Sequence, residues 1–279
     1  MTDSNPGTQP DLGGDLTWER KDLDRGQILG LSAAHPRSGS VIVQPDPSEF
    51  VLAATGMVAA ASLISVAQRG VFNMALAGGS TPGPVYELLA EESDIDWQRS
   101  RIFWSDERCV SPENSDSNYR LVRETLLDKL PQAPGLIARM PGNLPPERAA
   151  RDYESTIREY VRADETGIPR FDLILLGMGN DGHTASLFPG SQTLSETDLL
   201  VASDFVTQID ANRLTFTYPL LNAGRHVLIL VSGASKAPTL RSVLMGPHQP
   251  DVLPVQGVRP TDGQLRWLVD ADAAQCIQS

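Results

Sequence analysis

Runs of consecutive apolar residues alternate with longer stretches in which apolar residues recur at helical spacing, from about residue 41 onwards. The two clearest runs, 172–177 and 226–231, read Asp-Leu-Ile-Leu-Leu-Gly and His-Val-Leu-Ile-Leu-Val. A strand that is apolar on both faces is typical of a parallel sheet covered by helices. The alternation therefore predicts an α/β fold with a largely parallel sheet. The predicted strands are 41–43, 74–77, 102–104, 172–177 and 226–231, and the predicted helices are 48–68, 82–89, 118–130, 148–163 and 235–245.

The first 39 residues lack this pattern. They are rich in Gly, Asp, Ser and Pro and show no sustained period, a composition that favours a flexible segment. An ordered strand or helix packed on the body is the alternative. The rest of the chain contains no internal repeat, low-complexity tract or linker. We therefore predict a flexible N-terminal extension over 1–39 and a single α/β domain over 40–279.

Composition and charge narrow the range of functions. Hydrophobic residues make up 41% and charged residues 21% of the 279 residues, as in globular proteins. The 35 acidic and 23 basic residues give a formal charge of −12, which argues against broad nucleic-acid binding because that requires clustered Lys and Arg. A local pocket for an anionic ligand is compatible with this charge. Nucleic acid is therefore not an expected partner.

The sequence also bears on location and metal binding. The polar N-terminus does not have the pattern of a signal peptide, and no uninterrupted apolar run approaches the ~18–20 residues of a transmembrane helix. Cys109 and Cys276 are too few for a disulfide framework, which fits a reducing compartment. No CxxC or HExxH spacing occurs. We predict a cytoplasmic protein without a membrane partner or a bound metal.

Polar, glycine-bearing segments follow several of the predicted strands, where open α/β sheets bind their ligands. The first is Gly78-Gly79-Ser80-Thr81, which precedes Pro82 and a predicted helix. Free N–H groups and two hydroxyls at this place favour an anion, although an ordinary turn capped by Ser80 or Thr81 is equally consistent. The segment is neither a Walker loop nor a GxGxxG fingerprint, so nucleotide binding is not favoured.

The second segment places Asp106, Glu107 and Arg108 at the carboxyl end of a predicted strand. The acids could supply a base, and an arginine fork fits carboxylate or phosphate oxygens. A solvated loop with a local ion pair is equally consistent. We interpret Cys109 as a small, half-buried residue, because no histidine is adjacent to activate it.

The third segment, 177–189, directly follows the cleanest predicted strand. Its Asp181-Gly182-His183 triplet in a tight turn would present an imidazole at the edge of the sheet, where a histidine can act as a general base near neutral pH. A lone histidine is more often structural, but a glycine-rich turn beyond a buried strand favours the catalytic interpretation.

The fourth set comprises Arg213 and the segment 233–237 around Lys236. Lys236 opens a predicted helix after a buried strand, where its ammonium group could reach a bound phosphate. A surface lysine in the first turn of a helix is the alternative.

Together and in this order, the segments resemble the motifs of the 6-phosphogluconolactonase family. The resemblance covers about residues 41–272, and its most specific part is 177–189; Gly-Gly-Ser-Thr-Pro is shared with sugar-phosphate isomerases. In one departure, Ser111 separates the Val of Asp-Glu-Arg-x-Val from its usual Pro. The matching motifs are Gly-Gly-Ser-Thr-Pro at 78–82, Asp-Glu-Arg-Cys-Val at 106–110 with Ser-Asn-Tyr at 117–119, Gly-Met-Gly-Asn-Asp-Gly-His-Thr-Ala-Ser-Leu-Phe-Pro at 177–189, and Gly-Ala-Ser-Lys-Ala at 233–237.

The resemblance implies a three-layer, Rossmann-like α/β/α fold of the sugar-phosphate isomerase/lactonase type. Glucosamine-6-phosphate deaminases share this fold and are the main alternative. They typically have Asp-Glu-Tyr where this chain has Asp-Glu-Arg at 106–108, and Ile-Ala-Phe-Asn-Glu where this chain has Thr-Ala-Ser-Leu-Phe at 184–188. The Glu that helps the histidine open an amino-sugar ring is missing here, so the sequence favours the lactonase.

The activity implied by the resemblance is hydrolysis of 6-phospho-D-glucono-1,5-lactone to 6-phospho-D-gluconate in the oxidative pentose phosphate pathway. His183 would be the general base that activates water, and Asp181 and Asp106 would orient groups of the site. Arg108 would contact both the lactone and the phosphate. No cofactor is expected, because a lactone is already an activated ester. The residues expected to converge on the phosphate are Gly78, Gly79, Ser80, Thr81, Arg213 and Lys236.

Two other functions stay open at this point. One is an amino-sugar-phosphate deaminase or isomerase on the same scaffold, and the other is a noncatalytic sensor of sugar phosphates, against which an intact His183 argues. For the assembly we expect a monomer or a weak homo-oligomer whose partner is a small-molecule sugar-phosphate lactone.

Overall fold

The computed structural model describes residues 27–29, 39–92 and 94–277, which form two β-sheets and seven α-helices. The strands are β1 (Gln27–Leu29), β2 (Ser40–Gln44), β3 (Phe72–Leu76), β4 (Ser100–Trp104), β5 (Asp106–Arg108), β6 (Leu136–Ile137), β7 (Leu173–Gly177), β8 (Val201–Val206), β9 (Ala211–Phe216), β10 (His226–Val231) and β11 (Gln264–Asp270). The helices are α1 (Pro47–Arg69), α2 (Gly83–Leu89), α3 (Asn118–Thr125), α4 (Pro146–Tyr160), α5 (Tyr218–Ala223), α6 (Ala237–Met245) and α7 (Ala271–Ala274).

Eight strands form the main sheet in the order β1-β2-β11-β10-β7-β3-β4-β6. Every neighbouring pair is parallel except β1 with β2, which confirms the prediction of a largely parallel sheet. All of β3 is buried, as are four of the five residues of β7 and five of the six of β10. Strands buried on both faces need a covering layer on each side, and the α/β/α arrangement follows.

Helix α1 shows how local signals set the bounds of an element. The Asp46 side chain accepts hydrogen bonds from the N–H groups of Ser48 (2.8 Å) and Glu49 (3.0 Å). These N–H groups lie in the first turn of the helix, where no backbone carbonyl of the helix can accept from them. Gly70 ends the helix with a φ of 75°, a left-handed conformation that glycine adopts readily. In between, the helix packs against β2, β3 and β11.

Helix α1 is also long and apolar enough to span a membrane by length and composition, with a mean hydropathy of 2.1 over an 18-residue window. No uninterrupted run is visible in the sequence because Thr55, Gly56, Ser62 and Ser65 break it. Half of the window is buried within the fold, as in the core helix of a soluble protein. Among the described residues, α1 is the one helix that is long and apolar enough to span a membrane. One such helix is weak evidence for a membrane span.

Two of the predicted helices are shorter than expected. Helix α3 ends at Thr125, and the separate 3₁₀ turn Leu127–Lys129 follows it. Lys236 lies in the 3₁₀ turn Ala234–Lys236, and α6 begins only at Ala237. The following Pro238 suits the first turn of a helix, because proline has no N–H to leave unpaired there.

A second sheet of three antiparallel strands, in the order β5-β9-β8, was not predicted. Its strands read Asp-Glu-Arg, Ala-Asn-Arg-Leu-Thr-Phe and Val-Ala-Ser-Asp-Phe-Val and contain no sustained apolar run. The alternative of a solvated charged loop at 106–108 is wrong, because Asp106 and Glu107 are 7% and 2% exposed. Burial there results from pairing with β9, which lies about a hundred residues away in the chain.

Part of the predicted N-terminal extension lies within the described residues. Gln27–Leu29 form β1, which pairs antiparallel with β2. Residues 1–26 and 30–38 lie outside the described residues. The flexible extension over 1–39 and the domain boundary at residue 40 therefore stay predictions.

Candidate active site

The segments that the sequence singled out meet at the carboxyl end of the main sheet. Strands β10, β7, β3 and β4 are neighbours in that order, and the segments 233–236, 177–183, 78–81 and 105–108 follow them directly. Strands β4 and β6 continue the sheet beyond β3, and β10 and β11 continue it beyond β7. The gap between β7 and β3 is thus a topological switch point, the usual ligand position in open α/β sheets.

His183 and Asp181 form a contact pair in the turn after β7. Nδ1 of His183 lies 2.6 Å from Oδ1 of Asp181, and the same oxygen accepts the backbone N–H of His183 at 3.1 Å. Burial would raise the pKa of Asp181, but the hydrogen bond and charge of His183 hold this pKa below its ordinary value. Asp181 is therefore ionised near neutral pH and accepts the Nδ1 proton, which leaves the lone pair of Nε2 available as a base.

Two glycines shape the turn that carries this pair. A Cβ at Gly179 would lie 2.1 Å from Nδ1 of His183 and 2.5 Å from Oδ1 of Asp181, so a larger residue must displace the pair. Gly182 has a φ of 79°, and a Cβ there would lie 2.7 Å from Cδ2 of Leu253. The turn closes with a hydrogen bond of 2.8 Å from the Gly179 N–H to the His183 carbonyl. Gly179 is thus a steric requirement of the pair, and Gly182 is required by the turn's backbone conformation and its packing against Leu253.

The ring of Phe188 lies against the imidazole of His183. Their centroids are 4.3 Å apart and their planes differ by 29°. Phe188 is buried, whereas 31% of the His183 side chain is exposed. Asp181 therefore holds one edge of the imidazole and Phe188 covers one face, so that the ring has a defined orientation.

Asp106 connects two segments that are far apart in the chain. Its Oδ2 accepts a hydrogen bond from Ser186 Oγ at 2.7 Å, and its Oδ1 accepts one from Asn118 Nδ2 at 3.1 Å. The backbone N–H of Ser186 in turn donates to Thr215 Oγ1 at 3.1 Å. These are the contacts of a residue that orients its neighbours; its part in the reaction stays a prediction.

Glu107 anchors the start of helix α3. Its carboxylate accepts hydrogen bonds from the N–H groups of Arg108 (2.8 Å), Asn118 (2.7 Å) and Tyr119 (2.8 Å) and from Ser117 Oγ (3.0 Å). Burial raises the pKa of Glu107, although these backbone donors oppose the shift. With all its acceptor sites occupied by the protein, Glu107 has a structural role.

Arg108 and Arg213 lie directly opposite each other on β5 and β9. Arg108 Nη1 donates to the Asp116 carbonyl, and Arg213 Nη1 donates to the Asn212 carbonyl at 3.2 Å. Burial and the charge of Arg108 lower the pKa of Arg213, so two like charges are held close together. A phosphate or carboxylate between them would relieve this repulsion, and guanidinium groups match its geometry.

Lys236 lies within electrostatic range of Asp181. Burial lowers the pKa of Lys236, and the charge of Asp181 opposes that shift. Asp270 holds the preceding turn through Ser232 Oγ (2.5 Å) and the Gly233 N–H (3.0 Å). Among the described residues, no hydrogen bond or electrostatic interaction joins Lys236 to Arg108 or Arg213. Convergence of all three cations on one phosphate therefore stays a prediction.

The Gly78–Thr81 turn packs against the start of α3. A Cβ at Gly78 would lie 1.7 Å from Oδ1 of Asn118, and Gly79 has a φ of 93°, so both positions favour glycine. Ser80 is exposed and Thr81 half-buried, and no hydrogen bond to either hydroxyl is found among the described residues. Helix α2 has no side-chain cap and only seven residues, so the alternative of Ser80 or Thr81 as its N-cap is wrong.

Several site residues were given no role at the sequence level. Ser186, Phe188 and Asn118 lie inside the resembling motifs, but their contacts join strands and turns that only the folded chain brings together. Asp270 ends β11, which was not predicted as a strand. A buried acid at the carboxyl end of an apolar segment was the available signal.

The described residues support neither a nucleophilic role for Cys109 nor a metal-binding cluster. Burial raises the pKa of Cys109 to about 11, so its thiol is protonated at neutral pH and is a poor nucleophile. Among the described residues, no three His, Cys, Asp or Glu side chains are grouped to hold a metal ion.

The fold and the site define a class of protein: an α/β protein whose switch-point site combines a histidine–aspartate pair with two facing arginines. The family model described as glucosamine-6-phosphate isomerases/6-phosphogluconolactonase matches residues 45–267. The chain belongs to this family. Two predictions from the sequence are thereby confirmed: the resemblance to the lactonase family and the α/β fold.

Individual relatives agree with this assignment. A 6-phosphogluconolactonase from Synechocystis sp. is 40% identical over 216 residues, which cover 77% of this chain and 88% of that protein. One from Nostoc sp. is 37% identical over 237 residues, covering 84% and 96%. The structure of 6-phosphogluconolactonase from Trypanosoma brucei superposes with a TM-score of 0.73 at 28% identity, covering 84% of this chain and 97% of that one.

Proposed function

We propose that this chain hydrolyses 6-phospho-D-glucono-1,5-lactone to 6-phospho-D-gluconate, a step of the oxidative pentose phosphate pathway, with His183 as the general base. Family membership and the relatives named 6-phosphogluconolactonase support the reaction. The observation that carries the role of His183 is its 2.6 Å contact with the ionised Asp181. This contact fixes the tautomer with the proton on Nδ1 and leaves Nε2 free to accept a proton from water.

In the proposed reaction, Nε2 takes a proton from a water molecule as the water oxygen attacks the lactone carbonyl. The tetrahedral intermediate then collapses, the bond between the carbonyl carbon and the ring oxygen breaks, and the imidazolium returns its proton to that oxygen. The product is the open-chain acid, in which the former ring oxygen is the 5-hydroxyl group. General acid–base help of this kind contributes roughly 10²–10⁴ in rate, and Asp181 stabilises the imidazolium between the two steps.

We assign the binding of the substrate's negatively charged phosphate to two arginines. Arg108 and Arg213 would bind the phosphate together with the free hydroxyls of Ser80 and Thr81, and Arg108 would also stabilise the developing oxyanion. One such donor is worth on the order of 3 kcal/mol. Lys236, within electrostatic range of Asp181, would add a further positive charge to the phosphate side of the pocket.

The proposal extends to the setting of the enzyme. The two isolated cysteines support a reducing, cytoplasmic compartment. The chemistry requires no metal and no organic cofactor, because the lactone is an activated ester. We also keep the expectation of a monomer or weak homo-oligomer that has neither a nucleic-acid nor a membrane partner.

An assay that generates the lactone enzymatically and follows its disappearance tests the reaction. We expect hydrolysis far above the spontaneous rate. Release of ammonia from glucosamine 6-phosphate would favour the deaminase alternative instead. Binding of 6-phosphogluconate without any acceleration of lactone loss would favour the sensor.

A further inference from the structure

A cavity of about 1240 Å³ lies at the amino end of the main sheet, opposite the candidate active site. Residues just before three central strands line it: Val71 before β3, Asp172 before β7 and Arg225 before β10. The loop after α4 forms another wall. None of these residues belongs to the machinery proposed above.

A single buried carboxylate organises the floor of this cavity. Asp172 is 1% exposed, and its Oδ1 accepts a hydrogen bond from Arg69 Nε at 2.8 Å and lies 3.5 Å from Arg225 Nε. Its Oδ2 accepts hydrogen bonds from the backbone N–H (2.8 Å) and side-chain amide (3.2 Å) of Asn73. One buried negative charge therefore faces two guanidinium groups at the floor. The lining as a whole has four arginines and four acids, but the three other acids, Asp164, Glu165 and Asp262, are half-buried or exposed.

Two further arginines line the cavity. Arg170 pairs with Asp262 at 3.1 Å, and that carboxylate is 91% exposed. Arg162 is exposed, and no interaction of its side chain is found among the described residues. Asp164 is occupied by its own loop, since it accepts hydrogen bonds from Thr166 and Ile168.

Two buried polar atoms beside these charged groups make no hydrogen bond. Asn73 lines the cavity and is 6% exposed, and its Oδ1 has no hydrogen-bond partner. This oxygen is an acceptor, so it would bind a hydroxyl group of a ligand and not a phosphate oxygen. Nε of Arg225 also makes no hydrogen bond, and its one recorded ion pair in the described part of the chain is the 3.5 Å contact with Asp172. Buried polar groups are normally paired, and unpaired ones often mark a site for water, an ion or a ligand.

The electrostatics of neighbouring groups agree with a positive field. Burial and the charges of Arg266, Arg69, Arg225 and Arg170 lower the pKa of the adjacent His226 to about 4. Burial, Arg69 and Arg170 likewise lower the pKa of Arg225. A second anion would be attracted to this corner of the molecule.

We propose that the amino-end cavity is a second ligand site that binds a small polyanion bearing phosphate groups. Arg225 and Arg162 would contact the phosphates through their free guanidinium nitrogens, and Arg69 and Arg170 would supply further positive charge. Apolar side chains such as Val71, Ile168 and Tyr218 would contact the rest of the ligand. The cavity is large enough for a metabolite, since ligand pockets typically measure about 300–1,000 Å³.

Isothermal titration calorimetry of the full chain with inorganic pyrophosphate tests this site. The titration uses the unmodified chain and the Arg213→Gln variant side by side, because that substitution weakens the phosphate position proposed at the carboxyl end of the sheet. We expect saturable binding of one pyrophosphate at the amino-end cavity in both proteins. Arg225→Gln and Arg162→Gln should each weaken this binding at least fivefold and leave lactone hydrolysis unchanged, because neither residue lies near His183.

A matched variant separates this site from the catalytic one. Arg213→Gln should impair lactone hydrolysis and leave pyrophosphate binding at the amino-end cavity as it is, even if 6-phosphogluconate proves not to be the product. Arg162→Gln decides the matter if Arg225→Gln does not fold, because the Arg162 side chain is exposed. Absence of saturable binding in the unmodified chain, or wild-type affinity in Arg162→Gln, would overturn the proposal.

Discussion

His183 depends on three neighbours for its position. Asp181 contacts Nδ1 at 2.6 Å, Phe188 stacks on the ring with centroids 4.3 Å apart, and Gly179 leaves the space in which the pair meets. The aspartate determines which nitrogen carries the proton, and the two other residues determine where Nε2 points. Removing any one of them should therefore change the rate more than substrate binding.

Gly179→Ala should displace the pair, because its Cβ would lie 2.1 Å from Nδ1 of His183. A shift of about 1 Å in a catalytic group can lower the rate by about 10²-fold, so we expect a fall in kcat of that order with little change in KM. Gly56→Ala is the control, since no atom lies within 4 Å of the Cβ it would add. Equal kcat values for the two variants would contradict the steric argument.

Phe188→Leu should keep an apolar side chain but remove the ring stack. Such stacks contribute about 0.5–1.5 kcal/mol, so kcat should fall by up to about tenfold if that energy orients the imidazole, and the melting temperature should fall by no more than a few degrees. Phe205→Leu provides a matched control, because Phe205 is 51% exposed on β8. Steady-state kinetics of both variants measure the effect, and an unchanged kcat in Phe188→Leu would show that Phe188 does not orient His183.

The short strand β5 connects the elements of the site. Its three residues pair with β9, which places Arg108 opposite Arg213, and its middle residue Glu107 accepts hydrogen bonds from the start of α3. Asp106 joins the same strand to the turn that carries Ser186. Strand β5 thus fixes the arginines relative to the histidine turn.

Glu107→Gln should destabilise the protein. Four donors point at the carboxylate, and an amide NH₂ in place of one oxygen would face donors instead of accepting from them. A buried group left unpaired costs about 1–3 kcal/mol, which urea unfolding would detect. Glu113→Gln is the control, because Glu113 is 68% exposed and a surface ion pair contributes about 0–1 kcal/mol. Equal unfolding free energies would refute the anchoring role.

The sequence predicted the elements that follow regular patterns. Strands β7 and β10 were found within one residue of their bounds, and α1 was found with its terminal Gly70, because continuous apolar runs and helix caps are local signals. Strands β5, β8 and β9 were missed, since their pairing depends on partners far along the chain and their sequences are polar. The turn that carries His183 was singled out from its glycines, whereas the contact between Ser186 and Asp106 required the folded structure.

The two ends of the main sheet have different charge arrangements within a molecule of net charge −12. At the carboxyl end, Arg108 and Arg213 face the proposed phosphate position. At the amino end, arginines surround the buried Asp172 and the neighbouring His226. The overall charge therefore describes the surface, and at physiological salt it is screened over about 8 Å.

Stability should fall on acidification because of His226. Its pKa drops from the ordinary 6.5 to about 4 on folding, through burial and four arginines. Between these values the unfolded chain binds a proton that the folded chain does not, so stability is lost as the pH falls from 6.5 to 4, by about 3 kcal/mol in total. His226→Gln should show a smaller loss over this interval in urea unfolding at a series of pH values. Identical pH dependence in both proteins would contradict the assignment.

The most direct test of the catalytic mechanism is the kcat of His183→Ala in the enzymatic lactone assay. We expect kcat to fall by roughly 10²–10⁴, with the affinity for 6-phosphogluconate changed by no more than a few fold, because the arginines proposed to bind the phosphate are intact. Turnover close to that of the unmodified protein, well above the spontaneous rate, would contradict the role of His183 as the general base.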